Sequence, residues 1–576
     1  MRRRRTLRAA GLLVAAALTL AACARIPTSG AVERGLETSV AEPNSVFLIP
    51  VGPQPDSSPT QIVEDYLTAG AAGLSTTGLD FGVARTYLSG DSEAKWNPLA
   101  GVLVIDGMKI DQASDTEVTG QASVVGKVDQ DGVYSETANG AAETVTFSLI
   151  QDTAGQWRIK DAPQGLILTS RQFTDLFRRV SLYFLTPDES WLVPDPRYYP
   201  AVNLATSAVK GLLAGPASWL RDAVLTEVPQ GAALSPESVT VVNGQAEVDL
   251  SPGPAVQAAN RSLLVTQIEK TLLGQVPTVS SVVVRAGQAG PQLQGDAVRP
   301  TTIGSTDLTG GPEAIASDAT NGDHLVAIGA GGLTPVAGVG SLKGLDARTP
   351  ARSEDGQVRV FLSGPNELAL APTGDQQPKS LFQLPNLPSL AAPSVDRFGW
   401  AWTAAIGGST VYATDGRNPT TVNLAPKWLA GRHIAALRVS RDGTRVAIVS
   451  SGDDGAGVSI DVAGIARDDA GGPSQLSDQT LRVGAALTAA SSLVWIDDTT
   501  LAVLSQSAGS ASVAEVPLGD HSRPLPDVAN GVSLAGGGGE RSLLVGTSDG
   551  HLFRYGGVTW GQVQGIGGVR DPSYPG

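Results

Sequence analysis

The chain of 576 residues contains one cysteine, Cys23, in the tetrapeptide Leu20-Ala21-Ala22-Cys23. An aliphatic residue, two small residues and a cysteine form the bacterial lipobox, and each type has a chemical reason. A thiolate is the best side-chain nucleophile for accepting a diacylglyceryl group. Small residues before it let an extended chain enter a peptidase groove. Cleavage ahead of Cys23 would free its amino group for a further acyl chain. The expected modification is therefore lipidation at Cys23, with Leu20, Ala21 and Ala22 read by the signal peptidase. Each buried methylene contributes ~0.8 kcal/mol, and more than one chain makes a stable anchor to membrane lipid. A single cysteine also rules out an intrachain disulfide and a cysteine-based zinc site.

Little else in the sequence is equipped for chemistry. "GVSLAG" (531–536) comes nearest to a G-x-S-x-G elbow and lacks its glycine spacing; there is no P-loop and no H-E-x-x-H. "DATNGD" (318–323) opens like a calcium loop, but Gly329 stands where the glutamate at the twelfth position belongs. The four histidines, His324, His433, His521 and His551, are scattered through the C-terminal half. No catalytic residue, metal site or cofactor is expected. A net charge of −15 repels phosphate backbones, which argues against nucleic acid. Interface chemistry gathers in "WLVPDPRYYP" (191–200), where Trp191, Arg197, Tyr198 and Tyr199 are residue types favoured at protein contacts. The alternative use of the same residues is packing between domains.

These groups need elements to position them. Residues 1–22 carry Arg2–Arg5 and Arg8, then an uncharged stretch from Ala9 to Ala22. That is a secretory signal, too short for the ~18–20 residues of a spanning helix. Residues 23–58 read as a lipidated tether rich in Pro, Ser, Gly and Thr. Residues 59–170 read as an α+β domain. Ser58 or Thr60 caps a helix with Ile62, Val63, Tyr66 and Leu67 on one face and Gly70 as its stop. A second short helix is expected over 81–89. Strands follow at 101–107, 119–128, 143–151 and 156–169. Helices followed by a curved antiparallel sheet resemble the cone-like fold of nuclear-transport-factor-type domains.

Residues 180–290 read as strand, turn, strand, then an amphipathic helix in "NLATSAVKGLLAGP" ending at Gly215-Pro216. A hairpin turns at Asn243-Gly244, and a helix leads into a strand. Gly211–Pro216, Val248-Asp249-Leu250-Ser251 and Gln267-Ile268 make this segment similar to the GerMN domain of cell-envelope proteins, a resemblance that implies binding or assembly. From 304 to 565, helical periodicity gives way to short alternating runs with turns such as "SRDG". Asp318, Asp355, Asp396, Asp442 and Asp497 recur at about blade-length spacing, which predicts an all-β propeller of five or six blades.

A lipobox, an α+β domain, GerMN and a propeller in this order resemble the LpqB lipoprotein family of actinobacteria. The resemblance implies attachment to the extracytoplasmic face of the cell membrane through Cys23. It also implies a non-catalytic accessory role beside a two-component sensor kinase, whose extracellular part (MtrB-like, in an MtrAB-like system) would be the partner. Two alternatives stay open. An envelope enzyme would need convergent carboxylates or a metal in the propeller channel. A solute-binding lipoprotein would need a deep pocket with convergent polar groups.

Overall fold

The computed structural model describes residues 49–576, apart from 76–78, 252, 254–259, 288–289, 291, 294–301, 304–309, 319–321, 386–388 and 508. The signal stretch, the lipobox, Cys23 and most of the tether lie outside the described residues.

The first helix, α1 (Pro59–Gly73), starts where Ser58 accepts a hydrogen bond from the Gln61 amide and Pro59 occupies the first turn. Ile62, Val63 and Tyr66 are buried, as their spacing predicts. The helix does not stop at Gly70 but continues to Gly73. Both glycines serve close packing: a Cβ at Gly73 would come within 2.4 Å of the Phe81 ring, and one at Gly70 within 3.2 Å of Leu166. The expected helix over 81–89 is only one short turn, α2 (Gly82–Arg85), and a second short helix, α3 (Gly90–Lys95), follows beyond that range. Six strands follow: β1 (Val102–Ser114), β2 (Glu117–Val128), β3 (Tyr134–Glu136), β4 (Ala142–Gln151), β5 (Trp157–Asp161) and β6 (Leu166–Thr169). They form one sheet in the order β5-β4-β2-β1-β6, with β3 on β2. Residues 156–169 therefore hold two strands at opposite edges. The chain breaks at Pro163 and at Gly165, whose φ is +83° and whose Cβ position lies 2.4 Å from the Gly101 carbonyl. Register shifts between Val104 and Gly107 bend β1, and the helices cover a core built around Tyr66, Trp96 and Phe147.

The second module begins without a linker. Thr169 and Gln172 form a capping box on α4 (Ser170–Leu176), which runs straight into β7 (Phe177–Leu185), paired antiparallel with β8 (Trp191–Pro200). α5 (Leu204–Ala214) ends at Gly215, at φ +95°. β9 (Thr240–Val242) and β10 (Gln245–Leu250) turn through Asn243 and Gly244, both with positive φ. α6 (Arg261–Leu272) leads to β11 (Ser281–Ala286), parallel to β10. Buried Gln267 ties the module together: its amide donates to the Tyr183 carbonyl at 2.8 Å and accepts from the Glu227 amide at 2.8 Å.

Thr302–Ile303 adds to β8 in parallel, and from Glu313 onward the described chain forms six antiparallel sheets of four or five strands. Their inner strands are Ala347–Arg352, Ser394–Val395, His433–Val439, Ser492–Trp495, Gly531–Ala535 and Val569–Ser573. Residues on or beside these strands line a central channel. The ring closes because Val569–Ser573 pairs with Glu313–Asp318, joining the two ends of the domain in one sheet. This closing strand lies beyond residue 565, where the alternating pattern stops. Its sequence, VRDPS, has one aliphatic residue and a proline, so no alternation marks it. Asp355, Asp396, Asp442 and Asp497 each sit in the turn from an inner strand to its neighbour. There they accept backbone amides, those of Gln357, Phe398, Thr444 and Thr499, at 2.8–3.0 Å. Asp318 is not equivalent: it ends the strand that β-pairs with the closing strand on one side and Gly322–Gly329 on the other.

Candidate functional site: the module junction and the propeller channel

The interface residues expected on β8 meet other parts of this chain. Trp191 is buried, and the Arg397 guanidinium of the propeller lies 5.2 Å from its ring centre. Arg397 also pairs with Asp188 at 2.6 Å and donates to Ser190 Oγ at 2.6 Å. Its guanidinium holds the Asp188 carboxyl well below the usual carboxylate range, against burial, with help from Thr186 and Ser190. Thr186 accepts the Trp191 amide at 3.1 Å, which shapes the turn that presents Asp188.

Arg197 is 3% exposed and makes a two-toothed contact with Asp195, at 3.0 and 2.6 Å. A third bond reaches the Asp131 carbonyl of the first module at 2.6 Å, and Asp195 accepts the Ala217 amide at 2.8 Å. Tyr198 packs against Tyr134 and Phe173 at centroid distances of 5.7 and 4.9 Å, and its amide donates to the Gly132 carbonyl at 2.7 Å. Tyr199 lies over α5, where a Cβ at Gly211 would be 1.9 Å from its hydroxyl oxygen. Burial pushes that phenol up to about 12. The interface these four residues form is thus internal. Beside it, between the first and second modules, lies a cleft of about 340 Å³ bordered by Leu99, Val102, Phe177, Lys210 and Arg221.

The second module and the propeller share one hydrophobic core, in which Leu220, Ala223 and Leu264 are continuous with Val449, Val462 and Val516. The Gly464 amide donates to the Trp219 carbonyl at 3.1 Å. A Cβ at Gly464 would meet Ala223 at 2.8 Å and that carbonyl at 3.0 Å, so only glycine fits the seam.

The propeller channel widens at one end to about 340 Å³. Its wall is mainly Leu, Ala, Pro and Ser, with one carboxylate, Asp571, and two arginines, Arg348 and Arg438. The other end narrows to about 30 Å³ beside Tyr574, Pro575 and Gly576. The buried carboxylates outside the channel are engaged within the chain: Asp396 by Arg467, Asp442 by Arg445, Glu313 by both Arg352 and Arg359, and Asp461 by the Ser459 and Thr480 hydroxyls. The histidines do not meet. His324, His433, His521 and His551 each stand beside a different aspartate, Asp318, Asp453, Asp520 and Asp549. Among the described residues no three His, Cys, Asp or Glu side chains are grouped to hold a metal ion. Sequence reasoning missed Arg397 with Asp188, which lie 209 positions apart and carry no local signal. It also missed Arg438, although a charge inside the apolar run "IAALRV" was a legible one.

Three family descriptions match the chain in order. Residues 52–174 match the lipoprotein LpqB N-terminal domain, 181–288 the sporulation and spore germination domain (Germane), and 323–575 the lipoprotein LpqB beta-propeller domain. Among curated relatives, lipoprotein LpqB of Bifidobacterium longum (strain NCC 2705) is 28% identical over 80% of this chain and 79% of its own length. That of Cutibacterium acnes (strain DSM 16379 / KPA171202) is 30% identical over 57% of this chain and 54% of its own. That of Thermobifida fusca (strain YX) is 26% identical over 77% and 79%.

Proposed function

Because this chain belongs to the LpqB lipoprotein family, we propose that it works as a lipid-anchored envelope protein on the extracytoplasmic face of the membrane. In this reading it is a non-catalytic accessory of a two-component sensor kinase. The relatives carry the name lipoprotein, and the lipobox at Leu20–Cys23 supplies the anchoring chemistry. We read the six sheets as six propeller blades, and the first module as a cone of the nuclear-transport-factor type.

One observation carries the non-catalytic part. Three fully buried charge pairs, Arg197–Asp195, Arg445–Asp442 and Arg467–Asp396, are closed contacts that hold turns and seams; the channel wall has a single carboxylate, Asp571, and Asp498, the carboxyl that burial raises to about 6, stands outside that wall. General acid–base chemistry needs groups poised to exchange protons, not locked pairs. A tether at Cys23 would raise the local concentration of these modules near a membrane partner, so weak contacts suffice. Crosslinking in intact cells tests the reading. The native protein should label with palmitate and enrich a sensor kinase over Cys23→Ala. No label, or no envelope protein enriched over the variant, overturns it.

A further inference from the structure

We propose that the propeller channel is a binding cup for a small carboxylate, received by the Arg438 guanidinium at its floor. The inference does not depend on the anchor or on the kinase.

The cup is closed at one end and open at the other. Its wide part, about 340 Å³, falls in the size range of small-molecule sites, ~300–1,000 Å³. The narrow end is occupied by Pro572–Gly576. Arg438 borders both spaces, so it stands where the cup ends. One of its nitrogens, Nη1, donates to the Ala392 and Pro393 carbonyls at 3.1 and 2.7 Å, which fixes the plane of the guanidinium. No hydrogen bond or ion pair among the described residues occupies Nε or Nη2.

Its charge is uncompensated. Arg197, Arg445 and Arg467 are buried on their own aspartates. Arg438 has no such partner, and burial alone pushes it down to about 10. Desolvating a cation without a counter-ion is unfavourable, and an anion delivered by a ligand relieves it. Asp571 on the wall does not serve, since it accepts the Thr349 amide at 3.0 Å and is not among the groups acting on Arg438.

The remaining surface sets the ligand class. A planar guanidinium offering two nitrogens matches a carboxylate. The other wall arginine, Arg348, is already paired with Asp346 at 2.8 Å, and the one remaining guanidinium would leave a doubly charged phosphate half neutralised. Ser491 and Ser492 line the wall, and Ile406 and Val532 give the rim an apolar surface, 41% and 45% exposed. The ligand is therefore a carboxylate on a small, partly apolar body, from a peptide C-terminus or an acid sugar.

Calorimetric titration of the full-length protein in detergent tests this, with N-acetyl-Ala-Ala, its C-terminal amide, glucuronate and inorganic phosphate as probes. At least one carboxylate should saturate the protein while the amide does not; which one binds tells peptide from sugar. Arg438→Met should weaken binding about 10- to 100-fold. Because Arg438 also holds the 392–393 backbone, Val532→Trp serves as a second variant: it blocks the rim from an exposed position and should abolish binding with unchanged melting. The proposal is overturned if neither carboxylate binds, if the amide binds as well as the acid, if phosphate alone binds, or if Val532→Trp binds like the native protein.

Discussion

The two seams of this molecule are built differently. The second module joins the propeller through a continuous apolar core, with Trp219, Leu220 and Ala223 seated on the strand Ser459–Arg467. The first module keeps a separate core, to which the second adds Phe173 and Leu176 from α4, Phe177 and Tyr198. Its contacts with the propeller are polar: Glu136 accepts the Ser522 amide at 2.7 Å and the Ser522 hydroxyl at 2.8 Å. Apolar burial scales with area and gives cooperative folding, whereas a few polar contacts exchange with water at little net cost. The second module and the propeller should therefore unfold together, and the first module separately.

The largest effect is expected where the apolar seam is emptied. Trp219 is 3% exposed, and Trp219→Ala should cost ~3–5 kcal/mol. The loss should appear in one calorimetric transition covering the second module and the propeller, with the first module's transition unmoved. Two separate transitions for those partners would break the comparison.

The apolar seam should also carry a pH signature. Asp498 lies beneath Tyr183 in the turn between Trp495 and Thr500, and burial raises its pKa to about 6, against the pull of Arg445. A carboxyl raised in the folded state contributes stability that is full below its unfolded pKa and is lost as pH rises through about 6. Asp498→Asn, which cannot ionise, should stabilise the protein at pH 8 by up to about 3 kcal/mol and change little below pH 4. Urea titrations at both values check this; an equal effect at both would mean that the carboxylate is solvated.

What could be read in the sequence follows the range of the interaction. The Ser58 cap and the Asn243-Gly244 hairpin are decided within a few residues, and they stand where their pattern places them. Gly70 misled because a glycine at a helix end and one beneath a packed strand look alike; Leu166, 96 positions on, decides between them. The aspartate turns exposed the repeat, yet Asp318 fell out of phase because the inner strand of its sheet comes from the far end of the domain. Tyr198 was legible as an interface residue by type, while its partners Tyr134 and Phe173 were not, since only the fold brings them together.

Arg397 sharpens the comparison from the polar side of the same seam. It bridges Asp188, Ser190 and the Trp191 ring, at a side-chain exposure of 15% against 38% for Asp188. Half-exposed pairs are screened, so Arg397→Ala should cost only ~1–2 kcal/mol despite its several contacts. Raising the salt concentration should shrink the gap between native and variant melting temperatures, whereas the Trp219→Ala gap should persist, because salt screens charge and not apolar burial.

The smallest effect belongs to the polar seam itself. Glu136→Ala removes both bonds to Ser522 and should cost ~1 kcal/mol, confined to the first module's hold on the propeller. Hydrogen exchange gives the local reading: the Ser522 amide and β3 should exchange faster, while the strands around Val449 and Val462 keep their protection. If instead protection falls throughout the propeller, the first module is a structural part of that domain, and the contrast between the two seams fails at the seam where it is weakest.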